Sequence, residues 1–350
     1  MIQSYKILLS LILVVSFNFN GCLKDKITPP ADIPINDAGE ILFFLEEEGD
    51  YINSSDLPSL TDADEVYSNI HEYLLIDIRP SEEFISGHIE GAINKQPSQL
   101  ISFLDSIDYK QYPKIIIISK NGQSSAFYTC LLRLYGFDNT CSMNYGMAAW
   151  NAAFSDEWLN ALQTDYELLQ DYTNDLFPKP ASTPLPEVSL SGTSLEDKVK
   201  QRIKDLTKTE FEDNLIDGES TAVINYGWLM SNTEKFLIVC YDSVLLYKDV
   251  LAGISHPENA VSFHPFPHSE LSSTEYLQSI PSNKKSAFYS TNGQLSGFVV
   301  AYLRVLGYDA KSVLFGANNM YYDLLLNSVS FSDEAFSQSK IRNYSFVTGK

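Results

Sequence analysis

The sequence predicts an α/β protein built from two related halves, on three observations. The stretch "SKNGQSSAF" at Ser119–Phe127 returns as "STNGQLSGF" at Ser290–Phe298, 171 residues later. Each copy ends a short apolar run, "KIIIIS" at 114–119 and "KSAFYS" at 285–290, of the kind that marks strands buried on both faces. Each copy also opens a stretch of helical apolar spacing that runs into a glycine, Gly136 or Gly307, the residue suited to a helix end. Strands and helices alternating in this way form a mainly parallel sheet with helices on both faces.

The elements follow in chain order. Lys6 precedes "ILLSLILVVSF" at 7–17, an apolar run too short to span a bilayer, and "NFNGC" then ends at Cys22. This reads as a secretory signal. The Gly21-Cys22 junction resembles a bacterial lipoprotein signal, which implies residues 1–22 as a signal peptide ending at a lipidated Cys22. Residues 23–34, "LKDKITPPADIP", suit a polar tether. In the first half, 35–176, strands are expected at "YLLIDIR" (73–79) and "KIIIIS", and helices at "SQLISFLDSI" (98–107) and "SSAFYTCLLRLYG" (124–136). "FPKPASTPLPEVSLSGTS" at 177–194 has four prolines and no apolar period, and reads as a linker. The second half, 195–347, repeats the pattern with "KFLIVCY" (235–241), "KSAFYS" and "LSGFVVAYLRVLG" (295–307).

Between Ser119–Asp138 and Ser290–Asp309, ten of twenty aligned positions are identical. A single pair of copies at this separation is a duplicated domain, not a solenoid. The linker leads one to expect a first half that folds alone, with the second packed on it through a divergent aromatic surface.

Composition narrows the function. At 44% hydrophobic there is apolar material for two cores. A net charge of -21 repels phosphate backbones, so nucleic acid is not an expected partner. Cys130, Cys141 and Cys240 have no framework spacing and read as small core residues.

"DIRPSEEFISGHIEGAIN" at 77–94, followed by the "IIIISKNGQSSAF" loop and then "YGMAAW" at 145–150, resembles the rhodanese family, with Asp77, Arg79 and His88 at signature positions. The resemblance implies two rhodanese-like domains, the second more divergent. It also implies a loop of the form Cys-Arg-x-Gly-x-Arg-Ser, whose cysteine accepts a sulfur atom as a persulfide. That chemistry needs a thiolate held by converging amides, a helix N-terminus and nearby cations. Here the cysteine position holds Ser119 in one half and Ser290 in the other, and an arginine position holds Ser124 and Leu295. Lys120 is the only basic residue in either loop. A serine hydroxyl carries no persulfide and is not ionised without a base.

The loops Ser119-Lys120-Asn121-Gly122-Gln123-Ser124-Ser125 and Ser290-Thr291-Asn292-Gly293-Gln294-Leu295-Ser296 then admit two readings. In one, their amides still cradle a small anion or a polar group on a peptide. In the other, Gly and Asn supply positive φ while Ser125 and Ser296 cap the helix. The second accounts for every shared residue except the glutamine. His88 reads as a packed residue. "HPFPH" at 264–268 lacks the carboxylates or cysteines of a metal site, so no metal or cofactor is expected.

The resulting expectation is a catalytically silent tandem rhodanese-like lipoprotein. It would be exported and held at the outer membrane of a bacterial envelope, binding another envelope protein or a small polar ligand. The competing reading is an enzyme: a sulfurtransferase using a different cysteine, or a hydrolase using a loop serine. No histidine is close to either loop in sequence, which counts against the hydrolase.

Overall fold

The computed structural model describes residues 36–208, 211, 218–265 and 269–349. The signal peptide with Cys22, the tether at 23–34 and His268 lie outside the described residues.

Helix α1 (Asp37–Glu47) starts at Asn36, whose side-chain oxygen accepts the amide of Gly39. The first sheet follows. Its strands are β1 (Leu60–Thr61), β2 (Leu74–Asp77), β3 (Ile93–Asn94), β4 (Ile115–Ile118) and β5 (Thr140–Met143), in the order β1-β5-β4-β2-β3 and all parallel. β2 and β4 are the two apolar runs expected as strands, and both are buried along their whole length. Helix α2 (Gln123–Tyr135) leaves the repeated loop and ends at Gly136, which has φ of 119°. No Cβ is needed there, and the left-handed turn closes the helix.

A short strand β6 (Tyr172–Thr173) pairs antiparallel with a later strand, and the proline-bearing segment comes next. Helix α3 (Leu195–Leu206) is capped by Ser194, whose hydroxyl accepts from Asp197 N–H. The second sheet contains β7 (Val223–Ile224), β8 (Phe236–Tyr241), β10 (Val261–Phe263), β11 (Lys285–Tyr289) and β12 (Ala310–Val313), while β9 (His256–Pro257) is the partner of β6. Its order, β7-β12-β11-β8-β10, is again all parallel and repeats the order of the first sheet strand for strand. Helix α4 (Gln294–Val305) corresponds to α2.

The halves are joined by the repeat itself. α2 lies against α4, and the two small residues Ala126 and Gly297, equivalent in the repeat, meet at the crossing. A Cβ on Gly297 would stand 3.1 Å from Gln123 O and 3.4 Å from the Ala126 Cβ. Absence of side chains at a crossing lets helix backbones approach closely. One contiguous core therefore contains Leu42, Phe127 and Leu131 from the first half with Phe298, Leu303 and Phe336 from the second.

Arms are also exchanged. The Glu46 carboxylate accepts both the amide (2.7 Å) and the hydroxyl (2.6 Å) of Ser273. Gln163 and Tyr322 are linked by backbone, as are β6 and β9. The C-terminal segment returns to the first half, where Val347 and His88 exchange backbone hydrogen bonds and the Trp150 indole donates to Ser345 O. This departs from the sequence expectation of packing through a divergent aromatic surface. The repeated loop and helix lie at the junction, and aromatic contacts such as Trp158 on Phe315 and Phe336 only add to it. The 177–194 segment is also pinned along the second half, with Leu185 buried and the Thr183 amide bound to Gln278 O.

Candidate functional site

Both repeated loops start at the carboxyl end of a central strand, where open parallel sheets present their ligand sites. The backbone of the two is the same: Gly122 and Gly293, at φ of 93° and 77°, make the turn into the helix. Asn121 and Asn292 each accept, through the side-chain oxygen, the amide two residues on. The residue between donor and acceptor is held at positive φ in both turns, a conformation glycine adopts without the strain a Cβ would bring.

Ser119 is fully buried. Its hydroxyl accepts the Gly122 amide at 3.0 Å and donates to the Ser125 hydroxyl at 3.0 Å. Ser125 in turn bonds Gly122 O and the Ser142 hydroxyl. Ser290 likewise donates to the serine of its own helix, Ser296, at 3.5 Å, but accepts the Ser296 amide at 3.2 Å; Ser296 in turn meets Gly293 O and Ser312. Ser125 and Ser296 sit within the first helical turn and tie it to the neighbouring strand. They are not the helix caps the sequence suggested. Lys120 is paired with Glu157 at 3.2 Å.

The glutamines that local reasoning left unexplained cross between the halves. Gln123 Oε1 accepts the Phe315 amide at 2.6 Å, and its Nε2 donates to Gly293 O and Val313 O, both at 3.2 Å. Gln294 Oε1 accepts the Tyr145 amide at 2.6 Å, and its Nε2 donates to Asn144 Oδ1 at 2.6 Å. Tyr145 and Phe315 both have positive φ, and each precedes a glycine, Gly146 or Gly316, pressed against the loop of its own half. Met147 and Ala317 then donate to Ser119 O and Ser290 O, respectively. The signal for this second motif was available. Skipping one residue between Asp138 and Ser142 extends the repeat to Ser142/Ser312, Tyr145/Phe315 and Gly146/Gly316.

The signature residues of the first half are structural. Arg79 forms a two-point pair with Asp77, reaching 2.6 Å, and donates to Gly87 O, so it ties the end of β2 to the following turn. His88 stacks on Phe84 and bonds Phe84 O. A cavity of about 370 Å³ remains beside Arg79 and Lys120, walled by Phe154 and by Phe346 of the returning C-terminus.

A larger cleft, about 840 Å³, opens at the second loop. Ser290, Thr291, Asn292 and Leu295 form one wall and Leu60, Asp62 and Tyr145 of the first half another. At its floor the Asp242 carboxylate accepts the Thr291 amide (2.8 Å), the Thr291 hydroxyl (3.0 Å) and the Ser243 amide (2.7 Å). Burial raises the Asp242 pKa, with those hydrogen bonds opposing it. Glu334, from the C-terminal stretch, is likewise raised, first by desolvation and then by the charge of Asp242. Histidine proximity could not be read from sequence spacing. His264 also lines this cleft, although its Nδ1 faces Asp242 O at 3.3 Å and no hydrogen bond joins it to Ser290 among the described residues.

Comparison with known proteins is concentrated on the first half. Residues 62–153 match the rhodanese-like domain family. A thiosulfate sulfurtransferase of Shewanella oneidensis is 32% identical over 79 residues, covering 23% of this chain and 76% of that protein. The chain belongs to the rhodanese-like family. A second thiosulfate sulfurtransferase, from Pseudoalteromonas translucida, is 30% identical over 86 residues, 25% of this chain and 80% of that one. Among solved structures, a rhodanese-related protein from Thermoplasma volcanium matches at 25% identity over 29% of this chain and 89% of its own, with a TM-score of 0.23. A thiosulfate sulfurtransferase from Pseudomonas aeruginosa matches at 12% identity over 90% of this chain and 70% of its own, with a TM-score of 0.25.

For a rhodanese-like chain the cysteines are poorly placed. Cys130, Cys141 and Cys240 are all free and buried, and none lies in a loop. Burial pushes the thiols of Cys130 and Cys240 far up, which keeps them protonated and poor nucleophiles.

Proposed function

We propose that this rhodanese-like protein is a binding module of the bacterial cell envelope. It is lipid-anchored through Cys22, takes its ligand in the cleft at the second loop, and does not transfer sulfur. The observation that carries this is the state of the two loop-heading hydroxyls. Ser119 and Ser290 stand where the family resemblance places the sulfur-accepting cysteine, both are buried, and both are hydrogen-bonded to a serine of their own helix. Ser119 accepts the Gly122 amide and Ser290 the Ser296 amide, and the one basic residue of the two loops, Lys120, is paired with Glu157, whereas a persulfide needs several converging donors and a free cation. The Thr291 amide is turned instead to the Asp242 carboxylate. That carboxylate and Glu334 repel the dianionic sulfur donors of the family.

Against the hydrolase reading, the partners of both serines among the described residues are serine hydroxyls and backbone amides, not a base, and an unassisted hydroxyl is not a nucleophile at neutral pH. Against the reading that uses a different cysteine, Cys130, Cys141 and Cys240 are all buried, so no accessible thiolate occurs among the described residues. The mature protein is therefore expected to release no thiocyanate from thiosulfate and cyanide above a protein-free control. Turnover abolished by alkylating the cysteines would overturn this reading.

The anchoring reading has its own test. The proposed anchor is the lipid on Cys22, read from the Gly21-Cys22 junction; no helix among the described residues is long and apolar enough to cross a membrane. A Cys22→Ala variant is expected to move from the membrane pellet to the soluble fraction. Retention in the pellet would place the attachment elsewhere.

A further inference from the structure

We propose that the ligand of the interdomain cleft is a polypeptide segment carrying a basic side chain beside apolar ones. This rests on the cleft being the binding surface and goes further, by assigning the chemistry of what enters it. Three features of the cleft converge on that assignment: its charge, the apolar ledge outside it, and its size.

The charge is unbalanced. Asp62, Asp242, Asp333 and Glu334 contribute carboxylates to the lining, against Lys340 and Arg342. Both cations are already engaged. Arg342 pairs with Asp64 at 2.8 Å, and the Lys340 ammonium donates to Asp333 O. Asp242 and Glu334 face each other across Thr291, and no salt bridge to either occurs among the described residues, the Lys340 ammonium acting on Glu334 only through its charge at longer range. Two carboxylates converging in a half-buried site favour an ammonium or guanidinium between them, because its charge offsets both repulsion and desolvation. No group of three His, Cys, Asp or Glu that could hold a metal ion occurs among the described residues, so the cation assigned here is organic.

The ledge supplies the apolar half. Val244 lines the cleft and is 52% exposed; Val329, next in the chain to the lining residue Ser330, and Leu251 are fully exposed at two adjoining loop tips. Those tips are tied together by the Ser328 hydroxyl on the Asp249 carboxylate at 3.3 Å. Val250 at 70% and Leu326 at 44% extend the same surface. Exposed apolar side chains grouped at the mouth of a cleft mark an interaction surface. A small amine would fill a fraction of 840 Å³ and leave the ledge bare, whereas an extended peptide covers both.

The test is a selection of random short peptides displayed on phage against the immobilised mature protein, followed by calorimetry with the selected synthetic peptides. Selected peptides are expected to be enriched in Lys or Arg next to Leu, Val, Ile or Phe. Glu334→Gln, which keeps the size of the side chain and its capacity for hydrogen bonds, and Asp242→Asn are each expected to weaken a selected peptide about tenfold. Val244→Ser with Leu251→Ser is expected to weaken it by a similar factor. Peptides that are acidic or lack charge, yet lose affinity in the cleft variants, would overturn the assigned chemistry and leave the cleft as the binding surface. Peptides insensitive to every cleft variant would overturn both, and so would a selection with no enrichment.

Discussion

Replacing Gly316 with alanine is expected to destabilise the whole molecule by about 3–5 kcal/mol, the upper range for a single substitution. The reason is steric and has two parts. Gly316 has φ of 52°, and a Cβ there would stand 2.1 Å from Ser290 O and 2.6 Å from the Gly293 amide nitrogen. Both obstacles are backbone atoms of the repeated loop, so neither can rotate away. The turn must lift, and it takes with it the hydrogen bonds of Ala317 to Ser290 O and Asn318 to Thr291 O. Gly146→Ala should behave alike, since its Cβ would meet Ser119 O at 2.3 Å and the Gly122 amide at 2.7 Å. Gly136→Ala supplies the control. Its φ is also positive, at 119°, but nothing lies within 4 Å of the added carbon, so the cost is the backbone term of about 1 kcal/mol. Urea midpoints at constant m-value compare the three. A Gly316→Ala loss no larger than that of Gly136→Ala would mean that the turn does not brace the loop.

This brace is hard to see in the sequence for a physical reason. The central strands were legible because residues buried on both faces must be apolar, and "IIIIS" and "FLIVCY" admit little else. The helix ends at Gly136 and Gly307 were legible because a left-handed turn names its own residue. β1, β3 and β7, two residues each, were not, since what makes them strands is the neighbour they pair with. Gly146 and Gly316 were hidden by one residue of length difference between the halves, which ended the visible alignment before reaching them. The cleft was less legible still. Its carboxylates Asp62, Asp242 and Glu334 come from three distant stretches, and only the folded chain brings them together. Ser125 and Ser296 were recognised as shared, and their role was misassigned because a capping serine and a serine tying helix to strand look identical in sequence.

Gln123 and Gln294 carry the second large expectation, that the two halves unfold as one. Nothing within the repeated loop accounts for the glutamine, since the partners of each copy lie in the other half. Gln123→Ala strands the buried Phe315 amide and Val313 O, and Gln294→Ala strands the Tyr145 amide. A buried polar group left without a partner costs about 1–3 kcal/mol, so each variant is expected to lose about 2–4 kcal/mol. Because the shared core runs through α2 and α4, the loss should appear as a shift of a single transition followed identically by fluorescence and far-ultraviolet dichroism. Cutting the 177–194 segment at a protease site inserted after the exposed Ser191 should then leave one particle on a sizing column. A first-half fragment freed of its partner would expose Phe127 and the face of α1 that packs on α3, and is expected to aggregate or remain unfolded. Two separate transitions in the intact protein, or a first-half fragment with a cooperative transition of undiminished stability, would show that the glutamines only decorate a contact between independent domains.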